Sequence, residues 1–246
     1  MVDSEPGRLQ DRIDQATRRL TATVAGLTDS QAREPSLLPG WTRGHVLTHI
    51  ARNADGLRNL LVWARTGVVT PQYPNPEARE AGIAAGAGRP AGALAEDLEQ
   101  SAAAFAAEAA RVPASAWEVP VHGINGPDHP AWFTLFRRLT EVEIHHVDLR
   151  AGYTPPDWPE LFVADQLEQV TGNFSARDDV PPCAIEVAGN GQRYSIGPAG
   201  DAVTVTGPGC WLLAWLTGRD AGSALSARGG SGEDDGGVLP RLPAWG

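Results

Sequence analysis

Residues 38–56 read LPGWTRGHVLTHIARNADG. Pro39 and Gly40 mark a turn. From Trp41 onward Val46, Ile50, Leu57 and Leu61 return at steps of three and four, one face of a helix predicted over residues 41–64. His45, His49 and Asn53 form a polar stripe beside the apolar one. About ninety residues later the chain reads RLTEVEIHHVDLRAGYTPPDWP, residues 138–159. A helix is predicted over 131–150, with Phe133, Phe136, Leu139 and Val142 as its buried positions. It carries Glu141 and His145 four apart, one turn from each other on the same face.

Outward from these stretches, Leu9, Ile13, Ala16, Leu20, Val24 and Leu27 predict a first helix from Glu5 or Gly7 to Leu27. Residues 69–90 carry many Pro and Gly residues and read mostly as loop, with a short helix at PEAREAG. An alanine-rich helix with Leu94, Leu98 and Phe105 is expected over 93–111, where Pro113 ends it. A second loop, VHGINGPDHP, precedes the helix that holds Glu141. Four long helices joined in this way predict an antiparallel four-helix bundle, an architecture whose interior commonly hosts metal sites.

Beyond Gly152 the pattern changes. Pro155, Pro156 and Pro159 make a linker, and residues 160–172 read as a helix. CAIEVAG, QRYSIG and DAVTVTG are short β-prone runs separated by glycine turns. GPGCWLLAWLTGR is an apolar helix introduced by Pro208 and closed by Gly218, and SARGGSGEDDGG reads as a solvated loop. The expected fold class is therefore α+β, with a helical bundle over 1–152 and a smaller α+β domain over 153–246.

The chain has 246 residues, enough for one large domain or two modest ones. Its formal net charge of −10 disfavours phosphate binding, so no nucleic-acid partner is expected. All 20 basic residues are arginine, which excludes a lysine Schiff base and a P-loop lysine. There is no stretch with the form of a secretory signal or a membrane helix. Cys183 and Cys210 fit neither a metal pair nor a disulfide framework. Two free thiols of this kind suit a reducing compartment, and a cytoplasmic location without membrane association is expected.

His45 and His49 share the four-residue spacing of Glu141 and His145. Bundle packing would bring one histidine of the first pair opposite the second pair. Three ligands of the His, Glu, His type would leave a fourth coordination position open, the arrangement of catalytic zinc. Spacing alone favours polar positions hydrogen-bonded to their neighbours over a metal site, since histidine pairs four apart also arise by chance. HExxH is absent, so a metalloprotease has no support.

LPGWTRGHVLTHIARNADG followed by RLTEVEIHHVDLRAGYTPPDWP closely resembles the mycothiol-dependent maleylpyruvate isomerases of the DinB-like metal-bundle superfamily. The resemblance continues through AWLTGRDAG to LPAWG and so covers nearly the whole chain. It implies an N-terminal helical bundle and a C-terminal domain similar to the sterol-carrier fold. It also implies a zinc triad of the second histidine of HVLTH with the glutamate and histidine of EVEIH: His49, Glu141 and His145. Arg219 stands where the family carries an arginine needed for activity, and a guanidinium there would hold a substrate carboxylate bidentately. That role would require the second domain to fold back over the mouth of the bundle. The alternative for Arg219 is to bond the last carbonyls of its helix.

The resemblance implies an enzyme that takes a small electrophilic carboxylate together with mycothiol as thiol cofactor or cosubstrate. Addition of the thiolate to maleylpyruvate, rotation about the resulting single bond and expulsion of the thiol would give fumarylpyruvate, a step of gentisate degradation. The nearest alternative is a mycothiol S-transferase that conjugates another electrophile and stops after addition. A zinc hydrolase lacks a clear general base beside the triad. A non-catalytic binding module is disfavoured by the intact triad. Of the remaining candidates, His45 is expected to cap or pack, and His146 to point about 100° away from the triad. Asp148 could orient the His145 imidazole, while His122 and His129 lie in a loop where a surface role is expected.

Overall fold

The computed structural model describes residues 5–124, 126–198, 200, 202–229 and 238–245. The chain divides into two compact units, Met1–Tyr153 and Thr154–Gly246. The fold class is α+β, with helices throughout the first unit and a sheet in the second.

The first unit contains α1 (Glu5–Ala25), α2 (Asp29–Ala32), α3 (Arg43–Thr66), α4 (Pro76–Gly86), α5 (Ala91–Ala109) and α6 (Phe133–Asp148). A two-residue antiparallel pair, β1 (Pro120–Val121) with β2 (His129–Pro130), closes the loop before α6. α1 packs on α5 and α6, and α3 packs on the same two helices, so four long helices close a ring around one core. The predicted stripes face inward. Leu9, Ile13, Ala16, Leu20 and Val24 of α1 are buried, as are Leu57 and Leu61 of α3, Leu98 of α5 and Leu139 of α6. Each of the Leu, Ile and Val side chains contributes about 1.5–3 kcal/mol on burial.

Side-chain pairs fix the helix directions. Arg52 meets Asp97 and Arg65 meets Glu108, so α3 and α5 run the same way. Arg19 meets Glu143 and Thr23 meets His146, so α1 and α6 also run together. Arg43 bonds Leu149 while Arg138 bonds Ile50, so α3 and α6 are antiparallel. The bundle is thus two parallel pairs set against one another. Two helices that run the same way need a long return between them, and residues 67–90 supply it.

That return is more ordered than its Pro and Gly content suggests. α4 begins at PEAREAG but continues to Gly86, capped by Asn75, whose Oδ1 accepts from the Ala78 N–H at 2.7 Å. The stretch AGAGRPAG, residues 85–92, has a packing reason. A Cβ on Gly44 of α3 would lie 2.1 Å from the Ala87 carbonyl oxygen, and one on Gly86 would lie 2.4 Å from Thr48 Cγ2. α3 and α4 therefore meet at two glycines. Alanine ordinarily favours a helix interior over glycine by about 1 kcal/mol. Gly44→Ala is nonetheless expected to lower stability by about 1–3 kcal/mol through overpacking, read as a lower urea midpoint with unchanged slope.

The second unit contains α7 (Glu160–Ser175), β3 (Cys183–Val187), β4 (Arg193–Ile196), β5 (Val203–Gly207), α8 (Gly209–Leu216) and β6 (Ser226–Arg228). The sheet order is β4-β3-β5-β6, with β3 and β5 parallel and the outer pairs antiparallel. α7 and α8 pack on one another and against the sheet. The predicted SARGGSGEDDGG loop is corrected at its start, because Ser226–Arg228 pairs with β5 as an edge strand. Residues 230–237 of that stretch lie outside the described residues. No helix among the described residues is long and apolar enough to cross a membrane.

Candidate metal centre

The motif around α3 sets its start against the end of α6. Thr42 and His45 form a reciprocal cap: the Thr42 N–H donates to His45 Nδ1 at 3.2 Å, and the His45 N–H donates to Thr42 Oγ1 at 3.4 Å. His45 also stacks on Trp41 and so is a capping and packing residue. Arg43 is buried and donates from Nε to the Leu149 carbonyl at 2.6 Å and from Nη2 to the Arg150 carbonyl at 2.8 Å. It thereby satisfies carbonyls at the C-terminal end of α6 that have no partner within the helix. Two turns further along, Arg138 of α6 is fully buried and donates from Nη1 to the Ile50 carbonyl and to Asn53 Oδ1. His49 lies between these two clamps.

The clamps bring His49, Glu141 and His145 together. His49 Nε2 lies 2.9 Å from Glu141 Oε2 and 3.0 Å from His145 Nε2, and His145 Nε2 lies 3.2 Å from the same carboxylate oxygen. Among the described residues this is the group of three donor side chains that could hold a metal ion. A triangle with these edges has a point about 2.0–2.1 Å from each corner, the usual zinc–nitrogen and zinc–oxygen distance. Three converging protein atoms also leave one side open for a further ligand.

The surroundings prepare these atoms. His145 Nδ1 lies 2.7 Å from Asp148 Oδ2, whose carboxylate is fully buried, so the imidazole is fixed with its proton on Nδ1 and its Nε2 lone pair toward the triad. Burial opposes a charge on His145, but its bonds to Asp148 and Glu141 outweigh it and raise its pKa. Burial lowers the pKa of His49 against the pull of Glu141. Burial also disfavours ionised Glu141, but the two imidazoles overcome that and hold its carboxyl well below the ordinary range. The set is thus an ionised carboxylate between two imidazoles, a donor set suited to zinc.

His146 is turned to the far side of α6, where its Nε2 lies 2.8 Å from Thr23 Oγ1 and its ring stacks on Tyr153. His122 is exposed beside Asp128. His129 is half-buried and its Nε2 faces Arg137 at 3.3 Å. Arg219 lies just after α8 in the second unit. Its Nη1 donates to the Thr217 carbonyl at 2.6 Å and its guanidinium lies over the Trp245 ring.

The profile of the mycothiol maleylpyruvate isomerase N-terminal domain matches residues 13–150, more than half the chain. The chain belongs to that family. A crystal structure of the mycothiol-dependent maleylpyruvate isomerase is 30% identical over 98% of this chain and 97% of that one, with a TM-score of 0.90. The crystal structure of a histidine-to-alanine mutant of that enzyme has the same identity and coverage, with a TM-score of 0.89. Comparison with curated proteins gives no match. This chain of the maleylpyruvate isomerase family is accordingly an enzyme.

The enzyme's own thiols are poorly suited to nucleophilic work. Cys183 is buried in β3 and burial pushes its thiol up to about 11. Burial raises Cys210 as well. Neither is the ready thiolate that thiol addition needs at neutral pH.

Proposed function

We propose that the enzyme converts maleylpyruvate to fumarylpyruvate, with mycothiol as the thiol and a zinc ion held by His49, Glu141 and His145. The observation that carries this reading is the triad itself: three convergent donor atoms, a buried carboxylate orienting one of them, and one side left open. Family membership and the similarity to a mycothiol-dependent maleylpyruvate isomerase support this choice of substrate and thiol.

Bound there, zinc would keep an incoming thiol ionised near pH 7. The chain's part is to position and to hold charge. Asp148 keeps the His145 proton on Nδ1, and Glu141 supplies the negative charge that makes a divalent site of two neutral imidazoles. Mycothiol bound there would supply reversible thiol addition to the conjugated double bond, which gives that bond single-bond character for rotation and returns the thiol unchanged when the trans double bond is restored. Arg219 is proposed to hold a substrate carboxylate and to steady the negative charge that develops on the substrate.

Product analysis by NMR tests this reading. Recovery of the trans isomer with mycothiol unconsumed is expected, whereas a stoichiometric thioether adduct would replace the isomerase with an S-transferase. Arg219→Ala is expected to keep its metal and to lose about 10–100-fold in kcat/KM, the worth of one charged hydrogen bond. Full turnover by that variant would remove Arg219 from the mechanism.

A further inference from the structure

Beside the triad lies a second group of side chains that the proposed mechanism leaves unused. Arg137 precedes Glu141 by four residues on α6, one turn away on the same face. Its side chain is half-buried; burial lowers its pKa, while the nearby Glu141 and Tyr73 act in the opposite sense. Its hydrogen-bond partners are neutral: Nη1 faces His129 Nε2 at 3.3 Å and Nη2 donates to Gln72 Oε1 at 3.2 Å. Among the described residues no carboxylate lies within ion-pair distance of it. Buried charges are ordinarily paired.

The surroundings hold this guanidinium in place. Gln72 is buried, and its Oε1 also accepts from the Ile124 N–H at 3.3 Å. A Cβ at Gly123 would lie 2.5 Å from Gln72 Oε1 and 2.7 Å from Arg137 Nη1, so only glycine leaves room for both. The half-buried Tyr73 completes the group. Burial and Glu141 make its hydroxyl harder to ionise, while Arg79 and Arg137 act on it in the opposite sense.

Arg79 of α4 contributes a second guanidinium. Its Nη2 lies 3.3 Å from His49 Nδ1, and it also bonds Tyr73 and the exposed Glu80.

We propose that Arg137, with Arg79 and Tyr73, forms a carboxylate-binding subsite beside the metal triad that grips one end of the substrate. This deepens the proposed function and rests on its reading of the substrate as a small dicarboxylate. Planar guanidiniums suit carboxylates because they bond both oxygens at once. A dianion held by its ends would leave its central double bond open to the thiol.

The test uses succinate, a saturated dicarboxylate with no double bond for a thiol to attack. Its binding to the zinc-loaded full-length protein is followed by calorimetry, with zinc content measured on each sample. Arg137→Gln and Arg79→Gln are each expected to weaken succinate at least about tenfold, one charged hydrogen bond's worth. Zinc content should stay at the wild-type level. In turnover the same variants should raise KM more than they lower kcat, and Arg137→Lys, which keeps the charge and guards against misfolding, should recover part of the binding. Wild-type succinate affinity in both glutamine variants, or no succinate binding by the wild type, would overturn the subsite. Arginine-dependent succinate binding without conversion of maleylpyruvate would keep the subsite and refute the isomerase. Turnover with succinate binding indifferent to both arginines would do the reverse.

Discussion

His49→Ala is expected to leave the bundle folded, to empty the metal site and to abolish turnover. His49 is the single candidate ligand on α3, and its Nε2 stands within 3.0 Å of both partners on α6. Without it, Glu141 and His145 remain as a two-ligand pair one helical turn apart, too few to hold a structured zinc site. Loss of the metal removes several kcal/mol of charge stabilisation, about three orders of magnitude or more in rate. The fold should survive because the helix contacts near His49 are carried by Arg43 and Arg138, which bond backbone carbonyls of the opposite helix. Metal analysis, circular dichroism and turnover on one preparation check all three parts. Wild-type metal content in the variant would place the ion elsewhere.

Asp148→Asn is expected to weaken zinc about 10–100-fold while preserving the side chain's volume, the usual cost of losing a partner that orients a metal-bound histidine. Asp148 is fully buried and holds His145 Nδ1 at 2.7 Å. An amide can still accept the proton but supplies no charge to make the imidazole more basic. Competition with a chromogenic chelator measures the change directly. The pH dependence has a definite sign. Burial resists charge on His145, yet Asp148 and Glu141 raise its pKa, so in the metal-free chain the proton persists above the ordinary histidine range. Zinc must displace that proton, and its affinity should rise with pH through this raised value. In Asp148→Asn the rise should come at lower pH, because the proton is then held less strongly.

Much of this could be read in the amino-acid sequence, and the exceptions have physical causes. The four long helices follow from apolar residues at steps of three and four, which few other structures tolerate over twenty residues. The spacing of Glu141 and His145 put both on one face, but it left open which of His45 and His49 would join them. A signal for that choice was present. Thr42 precedes His45 by three residues, the spacing of a reciprocal cap, and His45 is used at the helix start. The length of α4 was hidden because close packing of Gly44 and Gly86 favours small residues that look like loop. β6 was hidden by the glycines after it, since an edge strand of three residues carries little pattern of its own. Arg137 has no sequence signal: four residues before Glu141 it reads as half of an ordinary surface ion pair. Only its neutral partners, the buried Gln72 and the half-buried His129, show otherwise.

The central claim joins a chain-supplied metal triad to a thiol supplied from outside. Its most direct test is conversion of maleylpyruvate followed by absorbance, with mycothiol and metal varied independently. Turnover is expected only when both are present, lost on chelation and restored by adding back zinc. Conversion that persists after the metal is stripped, or that proceeds without any added thiol, would contradict the account.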